Sequence, residues 1–321
     1  MQETRRRVLD ALADGPVTGP ALADELGVSR TAVWKHVEAL REAGFTIESG
    51  EEGYALVDAP DYGAPAIEHA TDAGYDIEFH DTLASTNDRA RELAAEGAAD
   101  VAVVAARQTG GRGRLDREWA SPPGGVYVSL LLRPDVPPAH APVYTLAAAV
   151  ATADAVDDFL EEDARIKWPN DVLAVDGAAE RKLAGILTEM EGEADRVSWL
   201  AVGIGVNANV DGEALPLGAT SLRERRRATG LEPVAISRRE LLAALLDRFE
   251  GLAGDLDSVL PAWRERANTL GRRVRVETPD GTIEGEAVDV EFPGALVVRT
   301  DDGAEVSVTA GDCEHLRPVM E

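Results

Sequence analysis

Three patterns predict an α+β chain: helical periodicity over the first forty residues closing on a short hairpin, apolar strand runs alternating with helices through the middle, and period-two runs between tight turns after Arg272. In the first part, Val8, Leu9, Ala11 and Leu12 recur at helical spacing until Gly15-Pro16 stops the helix. A second helix fits Gly19 to Leu26, with Ala21, Leu22 and Leu26 inward. Ser29 caps a third, Arg30 to Ala43, which buries Val33, Val37 and Leu40 before Gly44 ends it. Phe45–Glu48 and Tyr54–Val57 alternate around the turn Ser49–Gly53 and form a two-stranded wing.

That order is the winged helix-turn-helix pattern, expected over residues 1–60. The third helix of this motif enters the major groove, so Ser29, Arg30, Thr31, Lys35 and His36 are candidate DNA contacts. Residues 1–57 hold six basic side chains against ten acidic ones. Affinity from phosphate neutralisation is therefore small, and a packing or dimerisation module is the alternative.

Asp58–Pro65 has the composition of a linker, and the central part is expected over residues 66–270. Tyr75–His80 alternates like a strand and leads to Ser85 or Thr86, either of which can cap a helix running to about Ala95. Val101–Ala105 is an apolar strand suited to burial on both faces. It delivers the chain into Arg107-Gln108-Thr109-Gly110-Gly111-Arg112-Gly113-Arg114-Leu115-Asp116-Arg117-Glu118-Trp119. Glycine lets backbone approach a ligand, and arginine presents a fork matched to phosphate or carboxylate. Such a loop suits an anion; a basic surface turn is the plain alternative. Beyond it come a strand at Val126–Leu132, an alanine-rich helix at Val143–Phe159, and strands at Arg165–Leu173, Arg181–Glu189 and Ser198–Asn207.

The formal net charge is −27, spread along the length, and lysine occurs only at positions 35, 167 and 182. An acidic, lysine-poor surface suits a cytoplasm of high ionic strength, as in a halophilic microbe, where the Debye length falls to roughly 3 Å at 1 M salt. A lysine in an apolar strand is costly to bury without an anion, so Lys182 is expected to meet a bound anion or else a structural salt bridge. The single Cys313 excludes an intramolecular disulfide and reads as a small apolar filler. No signal-type apolar core follows Met1, and the most apolar run, near Leu146–Ala153, is far short of the roughly 20 residues of a spanning helix. A cytoplasmic location without membrane contact is expected.

Gly203-Ile204-Gly205-Val206-Asn207-Ala208 imitates a dinucleotide fingerprint, but Asn209-Val210-Asp211-Gly212 does not open a helix, and no Gly-Lys precedes Ser or Thr as a Walker loop requires. The Gly/Arg loop, Lys167-Trp168-Pro169-Asn170-Asp171, Arg181-Lys182-Leu183-Ala184-Gly185-Ile186-Leu187 and Gly203–Asn207 together resemble the biotin protein ligases, over essentially the full length. With the winged helix in front, the chain resembles their bifunctional ligase/repressor type.

The resemblance implies a class II synthetase-like central domain with a mixed sheet. It implies ATP and Mg2+ as partners in converting biotin to biotinyl-5′-AMP, and transfer to a lysine of the biotin carboxyl-carrier domain of an acyl-CoA carboxylase. Ser85, Thr86, Asn87 and Gln108 would meet the ureido head of biotin, joined by Arg112, Gly113, Arg114, Lys182, Gly185 and Gly203 around biotin. Arg112, Arg114, Trp119, Asn170, Asp171, Lys182 and Asn207 would meet ATP or the adenylate, with Trp119 near adenine. Lys182 and Arg114 would be catalytic, and no metal ligand is assigned beyond a Mg2+ link through Asn170 or Asp171. The resemblance further implies operator DNA as a partner and a homodimer formed edge to edge through the central sheet. One departure stands out: where repressor-type members often continue with Arg-Gly, this chain has Leu115-Asp116. A ligand-sensing repressor with little ligase activity, or a lipoate or octanoyl transferase relative, are the alternatives.

The C-terminal part, expected over 271–321, follows helices at Arg238–Phe249 and Ser258–Leu270. Strands at Val274–Glu277, Ile283–Val290, Ala295–Thr300 and Ala304–Thr309 with tight turns predict a small SH3-like barrel.

Overall fold

The computed structural model describes residues 3–13, 15–161, 163–177, 179–232 and 234–316. The chain forms two compact units, residues 1–72 with 237–243, and residues 73–236 with 244–321.

In the first unit, helices α1 (Glu3–Ala13), α2 (Gly19–Leu26) and α3 (Arg30–Glu42) precede the hairpin β1 (Thr46–Gly50) and β2 (Gly53–Asp58). Thr18 and Ser29 cap α2 and α3 by accepting the amides of Ala21 and Ala32. Val8, Leu9, Leu12, Leu22, Val33, Val37, Leu40, Phe45 and Ile47 make one core. Ala21 is exposed and Ala23 takes the inward place expected of it. The expected linker is shorter than its composition suggests, because α4 (Ala64–Ala70) starts with Pro65 in its first turn, where a missing N–H costs nothing.

The second unit is built on a seven-stranded sheet in the order β3-β4-β5-β9-β8-β7-β6. Its strands are β3 (Asp76–His80), β4 (Val101–Ala105), β5 (Val126–Leu132), β6 (Arg165–Lys167), β7 (Asp171–Asp176), β8 (Ala179–Gly192) and β9 (Val197–Val206). Only β3 and β4 are parallel, so the sheet is mixed. Arg165–Leu173, expected as one strand, is an antiparallel pair. Pro169 cannot donate to a ladder, and the chain reverses over Trp168–Asn170, whose indole is buried and donates to Gly294 O at 2.9 Å.

Helix α5 (Thr86–Ala95) lays Ala90, Leu93 and Ala94 on Val101, Val103, Leu131 and Ala201, covering one face. Helix α6 (Pro142–Asp157) is apolar nearly all round, as a fully buried helix is, and its Thr145 shares a 2.7 Å hydrogen bond with Thr188 of β8. Helices α7 (Leu222–Ala228), α8 (Arg238–Gly254) and α9 (Leu256–Arg266) follow, with Leu241, Leu242, Leu245 and Leu246 buried as expected. Helix α9 stops four residues before Leu270.

Strands β10 (Arg273–Thr278), β11 (Gly281–Glu291), β12 (Ala295–Arg299), β13 (Glu305–Val308) and β14 (Asp312–His315) form an antiparallel sheet ordered β13-β12-β11-β10-β14. Strand β14 has no counterpart among the period-two runs, because Asp-Cys-Glu-His carries one apolar residue, the buried Cys313. The whole is α+β, as expected.

Candidate active site

The face of the main sheet that carries α5 is emptied at one end by glycines. Gly185 of β8 pairs with Gly205 of β9, and Gly203 pairs with Leu187 of β8 and Ser129 of β5. A Cβ on Gly205 would collide with the indole of Trp119, and one on Gly203 with the amide of Asn87. The pair that imitates a dinucleotide fingerprint therefore makes room for two side chains over the floor of a cavity.

The N-terminus of α5 forms one wall. Ser85 caps the helix by accepting Asp88 N–H at 3.3 Å. Gln108, delivered by β4, accepts from Thr86 N–H at 2.8 Å and lies 3.1 Å from Thr86 Oγ1, while its own amide donates to Ser121 Oγ at 2.9 Å. These fix the Gln108 amide with its oxygen toward Thr86 and its nitrogen toward Ser121.

The Gly/Arg loop forms the rim. Gly113 N–H donates to Arg117 O at 2.7 Å and Trp119 N–H to Gly111 O at 2.9 Å, folding the loop into a narrow arch. Arg112 reaches Asp88 at 2.5 Å, and that hydrogen bond raises its pKa further. Arg114 donates to Gly311 O at 2.7 Å and to Asn170 Oδ1 at 3.4 Å, and burial lowers its pKa. Arg117 pairs with Asp312 of β14 at 2.5 Å, and this bond holds the Asp312 carboxyl below the usual carboxylate range. The strand missed in the sequence thus anchors the rim.

At the tip, Leu115 and Asp116 have φ of 55° and 53°, the left-handed region that suits glycine. Asp116→Gly is expected to release about 1 kcal/mol of backbone strain, raising Tm by roughly 2–4 °C for a unit of this size; an unchanged or lower Tm would contradict it.

Lys182 Nζ lies 2.6 Å from Asp171 Oδ1 and 5.1 Å from the centroid of the Trp119 ring. The salt-bridge partner expected for this lysine is Asp171, and both side chains line the cavity. Ser85, Thr86, Asn87, Gln108, Arg112, Gly113, Arg114, Trp119, Asn170, Asp171, Lys182, Gly185 and Gly203 all line this cavity. Asn207 does not: it is buried beside it, donating to Thr220 O at 3.1 Å, and its Oδ1 has no partner among the described residues. Trp119 Nε1 is likewise buried without one. Lys167, on β6, lies outside the lining. Asp88, Ser121, Ser129, Glu189 and Asp312 hold the site together and carry no motif; for Glu189 the usable signal is its period-two step from Gly185 and Leu187 along β8.

On α3, Ser29, Arg30, Thr31 and Lys35 are exposed, while His36 is half-buried and its pKa is lowered by burial and then by Arg5. The Ser29 hydroxyl oxygen is engaged as a cap. Trp34, 52% exposed on the same helix, went unmarked in the sequence.

Residues 4–55 match the HTH domain family, residues 80–207 the Biotin/lipoate A/B protein ligase family and residues 269–316 the Biotin protein ligase C terminal domain. The chain is 36% identical to the bifunctional ligase/repressor BirA of Bacillus subtilis, over 89% of its own length and 90% of that protein's. It is 30% identical to BirA of Escherichia coli, over 95% and 97%. The structure titled biotin protein ligase from Aquifex aeolicus in complex with biotin and ATP aligns with a TM-score of 0.62 at 27% identity, covering 75% of this chain and 99% of that one. The chain belongs to the biotin protein ligase family, among its bifunctional ligase/repressors.

Proposed function

We propose that this chain is a biotin--[acetyl-CoA-carboxylase] ligase, forming biotinyl-5′-AMP from biotin and ATP and passing the biotinyl group to one lysine of a biotin carboxyl-carrier domain. The observation that carries this is the meeting, in one cavity, of a fixed donor–acceptor wall suited to a cyclic urea with three cations at Arg112, Arg114 and Lys182. Thr86 and Gln108 orient the ureido head. A carboxylate oxygen of biotin attacks the α-phosphorus and pyrophosphate leaves; Lys182 and Arg114 stabilise the charge on the phosphorus, an electrostatic contribution. The carrier lysine amine then attacks the acyl carbon and AMP leaves.

Magnesium would accompany the phosphates. Among the described residues no group of three or more His, Cys, Asp or Glu could hold a metal ion alone, and Mg2+ is commonly held by one or two carboxylates plus substrate phosphates, a pattern that Asp171 with Asn170 fits. Mixing the protein with labelled biotin, ATP, Mg2+ and a carrier domain in molar salt tests the reading. Label on the carrier, competed by biotin and not by lipoate, is expected; no adenylate and no transfer would refute it.

Repression belongs to the same reading, with Arg30, Thr31 and Lys35 as exposed phosphate and base contacts on α3, and Ser29 and His36 as flanking ones. Lys35→Ala is expected to weaken operator binding and to reduce the salt slope of log K by about one unit. An unchanged slope in filter binding would remove Lys35 from the interface. A cytoplasmic, salt-adapted homodimer joined through an edge of the main sheet completes the proposal, and sedimentation with and without biotin and ATP reports on the last point. No helix among the described residues is long and apolar enough to cross a membrane.

A further inference from the structure

Behind the wall proposed to face biotin lies a chain of side chains whose hydrogen-bond directions are fixed as far as the Thr86 hydroxyl. Asn87 sits over the Ser129–Gly203 strand pair, in the space that Gly203 leaves. Its amide nitrogen faces two acceptors, Glu189 Oε2 at 2.7 Å and Leu187 O at 3.2 Å. A carboxylate and a carbonyl only accept, so the amide cannot be turned over. Its Oδ1 therefore faces Ser129 Oγ at 2.6 Å and takes that hydroxyl's one proton. Ser129 Oγ is 2.7 Å from Thr86 Oγ1 and is left as an acceptor toward it. The other neighbour of the Thr86 hydroxyl, Gln108 Oε1, also accepts. Whichever it takes, the Thr86 proton points into the protein and a lone pair faces the cavity. Glu189 is held in place from outside, where Arg91 binds its second oxygen at 2.9 Å. Ser129 is fully buried, and neither it nor Glu189 lines the cavity.

We propose that Ser129 and Glu189 are positioning residues that set the hydrogen-bond polarity of the site through Asn87, so that Thr86 accepts a ring N–H of the ligand and rejects an acceptor in its place. The inference rests on the biotin reading above. It adds a reason for choosing a cyclic urea: an acceptor at Thr86 stands beside a donor at Gln108 Nε2, whose other proton is engaged by Ser121.

The test uses the full chain in molar salt, titrated calorimetrically with biotin and with the two cyclic carbamates in which a ring oxygen replaces one or the other ureido N–H. Wild type is expected to bind biotin and to discriminate against one carbamate strongly. Ser129→Ala leaves the Thr86 proton only the longer 3.1 Å contact to Gln108 Oε1 as an inward acceptor, so it turns outward more readily, and the ratio of biotin to that carbamate is expected to fall about tenfold, a shift of ~1.4 kcal/mol. Glu189→Ala, which lets Asn87 turn over, is expected to move the ratio in the same direction. In both variants KM for biotin rises while kcat at saturating biotin stays within about twofold. If both variants keep the wild-type ratio, whether or not biotin itself binds more weakly, the role is merely structural and the inference is overturned. Failure of wild type to bind biotin at all would instead refute the ligase reading, and this inference with it.

Discussion

Lys182→Ala is expected to lower the rate of biotinyl-adenylate formation by about 10²–10³-fold, the range seen when one preorganised charge-stabilising donor is removed from an active site. The effect has two parts. One is the lost cation at the phosphorus, where negative charge accumulates as the carboxylate attacks. The other is Asp171, whose carboxylate now lies 2.6 Å from Lys182 Nζ and in the variant would face the incoming phosphates unpaired. At limiting Mg2+, where the carboxylate is uncompensated, Asp171→Asn in the Lys182→Ala background should therefore recover part of the loss; at saturating Mg2+, which Asp171 with Asn170 would help to hold, it should not. Pyrophosphate release in a single turnover, at saturating biotin and ATP, separates this from a binding defect. A rate within about threefold of wild type for Lys182→Ala would mean that the lysine is a structural partner of Asp171 and nothing more.

The winged helix was almost fully legible in the sequence because its signals are local: a cap at Ser29, a 3.6-residue period and a hairpin turn. The rim loop was legible as a candidate for a related reason, since three glycines and four arginines in thirteen residues suit an anion, with a basic surface turn as the alternative. What stayed hidden depended on register between strands distant in sequence. Nothing local says that Gly203 lies beside Ser129 and under Asn87, so spacing alone makes the Gly203–Gly205 pair imitate a nucleotide fingerprint, and only the resemblance places Gly203 at the site. Ser129 is one hydroxyl in an otherwise apolar strand, and Glu189 is one carboxylate among 59 acidic residues. Their importance comes from what faces them. Strand β14 escaped because a short polar segment has no period to detect, although its Asp312 holds Arg117 and Gly311 holds Arg114. The reversal at Trp168–Asn170 escaped because its flanks, taken together, alternate as a single strand does.

Gly203→Ala tests this hidden layer directly. An added Cβ would overlap Asn87 Oδ1 and come within 3.0 Å of its Cγ, so Asn87 must leave its place. It would give up its bonds to Glu189, Leu187 O and Ser129, whose fully buried hydroxyl keeps Thr86 Oγ1, 2.7 Å away, as its acceptor. Three lost hydrogen bonds at about 1 kcal/mol each give an expected destabilisation of ~3 kcal/mol, or roughly 6–12 °C in Tm for a unit of this size. Gly251→Ala is the control. That glycine lies inside α8 with nothing within 4 Å of its added Cβ, so it should be neutral or stabilising by up to about 1 kcal/mol. Adding Asn87→Ala to Gly203→Ala removes the collision, and part of the Tm should return while biotin affinity does not. That separation distinguishes a glycine kept for the fold from one kept so that Asn87 can hold Ser129 and Thr86 in order. If Gly203→Ala melts and binds biotin like wild type, the strand has room for a methyl group and the fixed polarity of the site has some other origin.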